Sequence, residues 1–373
     1  MFVRKTFQYR LRPTKAQAKL LQAQLDECRW LYNELLSQRK LSHEELDFTL
    51  SKYQQLMFLP LLKEERPTLK IVHSQVLQNI VDRLDKSFQA FFRRCKAGEK
   101  PGFPRFRGAH RYNSFCYPQS GFTLLGKELS LSKIGRVRMK MHRLVLGEIK
   151  TCTIKKTAAG EWDITLSCEV RAVPLEPKAE AVAVDVGIES FATFSNGEKI
   201  ENPRFFKKEE KNLAKSQRKL SKLEKGTKER RKAGKVVAKI HERIKNQRKD
   251  FCHKEAKKII DQYQYICVED LNIKNMIEGS YFAKSIVDAS WNQFRQFLTY
   301  KAAEAGRKLG LVNPSYTSQT CSQCGHLESK KLTEREHKCS KCGYRAHRDL
   351  NAAHNILALG LNGLGVIPRS LCL

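Results

Sequence analysis

The chain has 373 residues, with 70 Lys or Arg against 39 Asp or Glu, and its formal net charge is +31. An apolar fraction of 41% is sufficient for a folded protein of two or three domains and excludes a disordered one. The sequence contains no apolar run long enough to span a membrane and no secretory signal after Met1. A chain this basic repels itself unless it binds a polyanion, and nucleic acid is therefore the expected partner.

The cysteine usage excludes a disulfide-rich secreted protein. Four of the twelve cysteines fall in one tight pattern, and the others are scattered singly. This usage is typical of the reducing cytoplasm, so we expect a cytoplasmic protein with no membrane attachment. The scattered cysteines are Cys28, Cys95, Cys116, Cys152, Cys168, Cys252, Cys267 and Cys372.

The first elements in chain order are a strand and two helices. Residues Phe2 to Leu11 alternate apolar with polar side chains, which predicts a strand that stops before Pro13. In Lys15 to Arg39 and in Ser74 to Arg94, apolar residues recur every three or four positions, which indicates amphipathic helices.

The helical pattern ends at the segment KPGFPRFR, Lys100 to Arg107, and short alternating strands follow to about Arg171. The strand at Phe2 to Leu11 has no sequence neighbour to pair with. We therefore expect it to join these later strands, with the helices of residues 14–98 inserted between them.

A linker at Pro174 to Lys178 precedes a second group of elements. The segment AVAVDV, Ala181 to Val186, is a short apolar run typical of a strand covered on both faces. Phe191 to Gly197 predicts the next strand, which turns at its end. Tyr263 to Val268 predicts another buried strand, and Trp291 to Arg307 an amphipathic helix.

Residues 207–249 are strongly basic. They hold 18 Lys or Arg and 5 acids at helical spacing, with few large apolar side chains. Such a run can be a solvated helical pair with no ligand. The imbalance of charge favours contact with phosphates instead. The candidate contacts are Lys215, Arg218, Lys219, Arg230 and Arg231.

Two CxxCG motifs give the strongest local signal. Cys321 and Cys324 form the first, and Cys339 and Cys342 form the second. Four thiolates can surround one Zn²⁺ tetrahedrally, and a closed site of this kind is structural rather than catalytic. The glycine after each second cysteine predicts a tight turn with positive φ, which lets backbone N–H groups point at the sulfurs.

Three acids stand where an unpaired charge would be costly. Asp185 lies inside the apolar strand AVAVDVG, Glu269 ends YQYICVED, and Asp349 lies at the start of a helix after the second CxxCG motif. Such acids can hold two Mg²⁺ ions about 4 Å apart, which is an arrangement that cleaves phosphodiesters. These acids are the candidate catalytic and metal-binding residues.

Each acid also has a simpler interpretation. Asp349 can be an N-terminal helix cap, and Asp185 can close a turn with Gly187. Glu269 has Asp270 beside it, so either can be the ligand, or both can be surface residues.

The order of the motifs resembles one known family. The segments DVGIESFAT, ICVEDL, TSQTCSQCG, KCSKCG and HRDLNAAHNI are similar to those of the TnpB family of transposon-associated RNA-guided nucleases, which are relatives of type V CRISPR effectors. SFQAFFRR, GFPRFR and WNQFRQFLTYKAAEAGRKLG also resemble that family, so the likeness covers nearly the whole chain.

The resemblance implies a fold and a set of domains. It implies an α/β RuvC-like nuclease domain of RNase H type at residues 179–317 and 346–373, with a zinc-binding insertion at 318–345. It also implies a β-barrel wedge domain at residues 1–13 and 99–173, interrupted by a helical recognition lobe at 14–98. The three metal-binding acids of the family match Asp185, Glu269 and Asp349.

The resemblance also implies an activity and its partners. The expected function is an RNA-guided DNA endonuclease that uses two Mg²⁺ ions at the acids and one structural Zn²⁺. The expected partners are a guide RNA and double-stranded target DNA, bound by a monomer at the prokaryotic nucleoid. The family often has Asp two residues before the third acid, where this chain has His347.

Recognition of the flanking duplex would fall to polar groups of the helical lobe, because base pairing with the guide reads the remaining sequence. Gln78 can pair with adenine, beside Ser74 and Asn79, although such residues are also ordinary on a solvated helix. The other candidates can stack on bases or neutralise phosphates, although Phe103 can equally be core. They are Tyr53, Phe103, Arg105, Phe106 and Arg107.

Three other functions compete with the nuclease. A guide-directed repressor would share the fold without cutting, but all three acids are intact. A DNA-transferring transposase would have to recognise transposon ends, for which the sequence shows no signal. A zinc-knuckle RNA-binding protein would use its acids only structurally.

Overall fold

The computed structural model describes residues 2–109, 111–176, 178, 180–330 and 334–366. The chain divides into two units, Met1–Arg171 and Ala172–Leu373. Some positions of the predicted ranges lie outside the described residues, namely 1, 110, 177, 179, 331–333 and 367–373, the last of which include Cys372.

Seven antiparallel strands form the sheet of the first unit, in the order β2-β6-β7-β1-β5-β4-β3. Closure into a barrel remains a prediction, because the order of the described strands runs from β2 at one edge to β3 at the other. The strands are β1 (Phe2–Arg12), β2 (Ser114–Tyr117), β3 (Phe122–Leu125), β4 (Glu128–Leu131), β5 (Gly135–Lys140), β6 (Glu148–Lys156) and β7 (Trp162–Arg171).

The first strand lies in the middle of this sheet, between β7 and β5. It pairs with β7 from Phe2 opposite Arg171 to Leu11 opposite Trp162. Its alternating pattern places Phe7 in the core, together with Tyr9 and Leu11, while the residues between them point outward. The strand therefore pairs with later strands, as its isolation in the sequence indicates.

The helices of the first unit lie between β1 and β2 in the chain and pack on the sheet, in one hydrophobic core shared by both layers. Thr14 caps the first helix in a capping box with Gln17. The helical segments are α1 (Lys15–Leu46), α2 (Lys52–Met57), α3 (Leu59–Glu65), a 3₁₀ turn (Pro67–Ile71) and α4 (Ser74–Lys96).

Helix α1 continues past Arg39, where the apolar period ends in the sequence. Arg39 is buried, and its guanidinium donates to Gln55 Oε1 at 2.7 Å and to Asp85 Oδ1 at 3.0 Å. A buried ion pair thus fixes this part of the helix to α2 and α4. This contact explains why hydrophobic periodicity alone predicts too short a helix.

The second unit contains a five-stranded sheet in the order β10-β9-β8-β11-β12. Strands β8, β11 and β12 are parallel, whereas β9 and β10 extend the sheet through antiparallel pairing. The strands are β8 (Ala181–Val186), β9 (Ser190–Phe194), β10 (Lys199–Glu201), β11 (Tyr265–Glu269) and β12 (Lys308–Val312).

Helices cover both faces of this sheet, which explains why β8 is apolar at successive positions. Val182 and Val184 belong to a core with α6, α8 and α9, whereas Ala183 belongs to a separate core with α10. The helices are α5 (Phe205–Ser221), α6 (Lys228–Gln262), α7 (Ile273–Ile277), α8 (Ala283–Ala289), α9 (Trp291–Ala305) and α10 (Arg348–Gly363).

Helix α10 crosses the sheet at very close range, and Gly360 makes this approach possible. A Cβ atom at position 360 would lie 2.3 Å from Cys267 Sγ and 2.5 Å from Cys267 Cβ, both on β11. Any side chain at this position would therefore push α10 away from β11.

A short hairpin of β13 (Glu336–Lys338) and β14 (Arg345–His347) precedes α10. It carries the second CxxCG motif in its turn. Within the described ranges, none of the helices is long and apolar enough to cross a membrane.

Candidate active site and metal centre

Asp185 and Glu269 come from neighbouring parallel strands. Cys267 lies opposite Ala183 in the β8–β11 register, and both contribute to the core under α10. Side chains two positions apart on a strand share a face of the sheet. Asp185 is two positions after Ala183 and Glu269 is two positions after Cys267, so both acids lie on the α10 side. Both carboxylates therefore stand at the carboxyl ends of parallel strands, where ligands bind in open α/β sheets.

The structure rejects two of the simpler interpretations of these acids. Asp185 lies within β8, opposite Thr193 of β9, rather than in a turn with Gly187. Asp270, the neighbour of Glu269, is exposed and pairs with Arg295. Glu269, in contrast, is partly buried and points to the α10 side of the sheet.

Asp349 lies in the first turn of α10 and is not its cap. The N-cap residue is His347, whose Nδ1 accepts a hydrogen bond of 3.3 Å from the Asp349 backbone N–H. The interpretation of Asp349 as a simple cap is therefore wrong. His347, where the TnpB-like pattern often has Asp, has a structural role at this helix start.

The other two acids act electrostatically on Asp185. Burial raises the pKa of the Asp185 carboxyl well above its ordinary value, and the charges of Glu269 and Asp349 raise it further, against a lowering by Arg348. Burial also raises the pKa of Glu269, and a hydrogen bond from Thr317 opposes this shift. Arg348 lies 3.5 Å from Asp349. The cluster therefore holds more negative charge than its one neighbouring arginine balances, and it fits added cations.

The four cysteines are closer together than the three acids. Their Sγ atoms all lie within 4.8 Å of one another, and no other group of three or more candidate ligands among the described residues is that compact. The Sγ atoms of Cys321 and Cys342 are 3.7 Å apart, and those of Cys324 and Cys339 are 3.5 Å apart. A tetrahedron with metal–sulfur bonds of about 2.3 Å has edges of about 3.8 Å, so the cysteines fit one zinc ion.

The two CxxCG motifs, residues 321–325 and 339–343, form a knuckle whose backbone has the conformation that the sequence predicts. Gly325 and Gly343 have φ values of 74° and 75°. Hydrogen bonds from the backbone N–H groups of Cys342 and Lys341 lower the pKa of the Cys339 thiol to about 6. The N–H groups therefore favour the Cys339 thiolate, which is the form that binds metal. At Cys342, a hydrogen bond from the Tyr344 backbone is outweighed by burial and the neighbouring sulfurs, which raise the pKa to about 12.

The basic run of residues 207–249 forms an antiparallel pair of helices, α5 and α6. Lys215, Arg218, Lys219 and Arg231 are exposed. Arg230 is partly buried, and its guanidinium donates to the carbonyls of Leu220 and Leu223 at the end of α5. Four of the five predicted contacts thus present a charge to solvent, and Arg230 stabilises the turn between the helices.

The predicted contacts at the start of α4 differ in exposure. Ser74 and Gln78 are exposed, and Ser74 accepts a hydrogen bond from Lys63 at 3.1 Å. Asn79 is partly buried, and its Oδ1 has no partner among the described residues. Tyr53 lies on α2 rather than α4. Its side chain is 76% exposed and can therefore stack on a base.

The KPGFPRFR segment is fixed to α1 by one side chain. Asn33 accepts from the Arg107 backbone N–H at 2.7 Å and donates to its carbonyl at 3.0 Å. Arg105 and Phe106 are exposed on this fixed loop. Phe103 is about half exposed yet packs edge-on against two phenylalanines of α4, so it belongs partly to the core.

Sequence reasoning missed one residue in contact with the acids. The Thr317 hydroxyl donates a hydrogen bond of 2.6 Å to Glu269 Oε1. Thr317 is 48 positions from Glu269 in the chain and is polar in a loop, so no periodicity marks it. The local signal is that Thr317 begins TSQTCSQCG, one of the family-like segments of the sequence.

Three family models match the chain. The family described as "Probable transposase" matches residues 165–279, "Cas12f1-like, TNB domain" matches 291–356, and "Helix-turn-helix domain" matches 1–46. The first two matches include all three acids and all four cysteines. Residues 1–46 contain one strand and one long helix, which is not a helix-turn-helix.

Two relatives match the chain over nearly its full length. A Streptomyces pristinaespiralis protein named "Putative RNA-guided DNA endonuclease" is 33% identical over 98% of this chain and 93% of its own. The Escherichia coli K12 protein InsQ, which has the same description, is 31% identical over 95% of this chain and 92% of its own. The CRISPR-associated endodeoxyribonuclease Cas12f1 of Sulfoacidibacillus thermotolerans is 36% identical over 33% of this chain and 29% of its own.

Proposed function

The chain belongs to the TnpB family, and we propose that it is an RNA-guided DNA endonuclease of a transposable element. In this proposal it binds a guide RNA, recognises a short flanking duplex motif and cleaves DNA that matches the guide. The observation that carries the proposal is the meeting of Asp185 and Glu269 on one edge of the sheet, under the helix that bears Asp349.

The three acids are the proposed metal ligands and catalytic residues. Burial makes the charges of Asp185 and Glu269 costly, the other acids add to the cost at Asp185, and divalent cations would relieve it. Two Mg²⁺ ions bound there would activate water and stabilise the leaving oxygen during phosphodiester hydrolysis. Asp185 and Glu269 would approach from the sheet and Asp349 from α10, so the ligands would come from separate, rigid elements.

The four cysteines are the proposed site of one Zn²⁺ ion with a structural role. Four protein ligands leave no position open for substrate, so this ion would not take part in hydrolysis. Binding would instead stabilise the insertion at residues 318–345, which is too small to form a hydrophobic core of its own.

The remaining assignments follow the family. We propose a RuvC-like nuclease domain at residues 179–317 and 346–373, a wedge domain at 1–13 and 99–173, and a helical lobe at 14–98. The exposed cations of α5 and α6 would contact phosphates, and Gln78 with Ser74 would contact the flanking duplex. The simplest assembly is one chain on one guide RNA, acting at the prokaryotic nucleoid.

A repressor that binds without cutting is the main competing function. The electrostatic effect of Glu269 and Asp349 on Asp185 supports the nuclease, because a protein that only binds has no need to hold these charges near one another. We therefore favour the nuclease.

The test uses the protein purified with its own bound RNA, which is sequenced to give the guide. Plasmids that carry the matching target beside a randomised flank are then incubated with Mg²⁺. Cutting next to a defined motif is expected, and Asp185→Ala should reduce it by at least about 1,000-fold while RNA binding persists. Asp270→Asn is the matched control, because Asp270 lies beside Glu269 but pairs with Arg295 at the surface.

Failure to cut at every flank, with guide-dependent DNA binding retained, would establish the repressor instead. Equal loss of cutting in Asp185→Ala and Asp270→Asn would refute the assignment of the acids.

A further inference from the structure

The segment between β12 and the zinc knuckle contacts a proposed catalytic acid. Thr317 in this segment is 4% exposed, and its hydroxyl lies 2.6 Å from Glu269 Oε1 and 3.1 Å from the Pro314 carbonyl oxygen. A hydroxyl has one proton to donate, and the shorter contact is to the carboxylate. The hydrogen bond therefore fixes the rotation of the Glu269 carboxyl group.

Two asparagines of α10 hold this segment in place. Asn355 donates to the carbonyl oxygens of Thr317 and Thr320, at 2.8 and 2.6 Å. Asn351, which is fully buried, donates to the same Thr320 carbonyl at 2.8 Å and accepts from the Ser322 N–H at 2.9 Å. These asparagines are one helical turn apart, so one face of α10 binds the segment.

The contacts form a continuous path between the two candidate metal centres. Ser322 lies inside the first CxxCG motif, between Cys321 and Cys324. From there the path runs through Asn351 and Asn355 of α10 to Thr317 and ends at Glu269. Asp349 lies in the first turn of the same helix. The helix that carries one acid therefore also holds the residue that orients another.

We propose that Thr317 is a positioning residue for the nuclease reaction: its hydroxyl orients Glu269 for metal binding, and Asn351 and Asn355 fix Thr317 to the helix of Asp349. The proposal rests on the proposed function for the identity of the reaction. It assigns the segment after β12 a role beyond leading the chain into the knuckle. Groups that orient a metal ligand typically change metal affinity or activity by 10- to 100-fold when they are removed.

The test compares two substitutions of Thr317 that differ in one group. Thr317→Val keeps the shape and removes the hydroxyl, whereas Thr317→Ser keeps the hydroxyl and removes a methyl group. Ser315→Ala is the matched control, because it removes an exposed hydroxyl from the same segment. Binding of Mn²⁺ to the full-length RNA complex is measured by electron paramagnetic resonance, and cutting is measured as a function of Mg²⁺ concentration.

Thr317→Val should weaken Mn²⁺ binding and raise the half-saturating Mg²⁺ concentration by about tenfold or more, with zinc content unchanged. Both quantities should stay within about threefold of the wild-type values in Thr317→Ser. In Ser315→Ala they should equal the wild-type values. Equal Mn²⁺ binding by all variants would overturn the proposal. Equal weakening by Thr317→Val and Thr317→Ser would also overturn it, since packing rather than the hydroxyl would then be responsible.

A second variant covers the case in which Thr317→Val loses its zinc or unfolds. Asn355→Ala removes the support of Thr317 without touching Glu269, and it should weaken Mn²⁺ binding by about threefold or more with zinc retained. Unchanged Mn²⁺ binding in this variant would overturn the proposal. The two proposals can fail separately. If the wild type does not cut guide-matched DNA, the proposed function fails. The positioning role still stands if Thr317→Val binds Mn²⁺ more weakly than Thr317→Ser does.

Discussion

The two candidate metal centres lie in the same unit of the chain but are built in different ways. The cysteines come from two local turns, and their sulfur atoms lie within 4.8 Å of one another. The acids come from two strands and a helix spread over residues 185 to 349. One centre is a closed, local site, and the other depends on the packing of a whole domain.

This difference determines what each centre does when its metal is absent. In the knuckle, backbone N–H groups lower the pKa of the Cys339 thiol to about 6, whereas at Cys342 a hydrogen bond from the Tyr344 backbone is outweighed by burial and the neighbouring sulfurs, which raise the pKa to about 12. At the acid site, burial raises the pKa of Asp185 and of Glu269, and the other two acids raise that of Asp185 further. A closed site of four local ligands suits a resident structural ion, whereas buried carboxylates suit ions that act in a reaction.

Breaking the closed site should have the largest effect on metal content. Cys324→Ser removes one of four thiolates, so zinc should fall from about one ion per chain to less than about a tenth, measured by elemental analysis after dialysis. Residues 318–345 should then become sensitive to protease. Cutting should fall by about 100-fold or more, because the knuckle supports α10 through Ser322 and Asn351.

Cys95→Ser is the matched control for that variant, because Cys95 is an exposed single cysteine on α4. It should retain zinc and cutting. Full zinc content in Cys324→Ser would show that the knuckle is not a four-thiolate site.

A smaller effect should separate the acid site from the knuckle. Gly360→Ala places a Cβ 2.3 Å from Cys267 Sγ, so α10 must move away from β11. We expect a loss of about 1–3 kcal/mol in unfolding free energy and a higher Mg²⁺ requirement for cutting, with zinc retained. Denaturant unfolding and Mg²⁺ titration measure these changes.

Gly363→Ala is the control, because nothing lies within 4 Å of a Cβ at that position. Its unfolding free energy should stay within about 0.5 kcal/mol of the wild type. If the two alanine variants behaved alike, close packing of α10 on β11 would have no bearing on the acid site.

The contrast between the centres also explains what the sequence can predict. The knuckle follows from spacing alone, since its ligands and its two positive-φ glycines are local. The strands of Asp185 and Glu269 are predictable because helices cover both faces and make them apolar throughout. The sequence does not predict that the two acids meet at one edge of the sheet, because this depends on the parallel register of β8 with β11.

Contacts between distant polar residues are the part that sequence reasoning cannot supply. Thr317 meets Glu269 across 48 residues, and Arg39 meets Asp85 across 46. Neither pair leaves a periodic trace, because only the folded chain brings the partners together. His347 is a local case, since as the cap of α10 it takes the place that the simpler interpretation gave to Asp349.

The smallest effect, and the one that tests the strain of the acid site directly, is a gain in stability. The raised pKa of Asp185 means that the folded protein binds this proton more tightly than the unfolded chain does. The stability from this group is therefore complete below its unfolded pKa and is lost as pH rises through the higher folded value. Asp185→Asn cannot ionise, so the variant keeps that stability at neutral pH.

In EDTA, Asp185→Asn should therefore melt about 2–4 °C above the wild type at pH 7.5, and the difference should shrink towards pH 5. Mg²⁺ should raise the melting temperature of the wild type more than that of the variant, because added cations relieve the repulsion. Asp270→Asn, which alters only a surface pair with Arg295, should show neither trend. A variant that instead melted below the wild type at pH 7.5 would contradict the raised pKa, because the folded chain would then stabilise Asp185 as an anion.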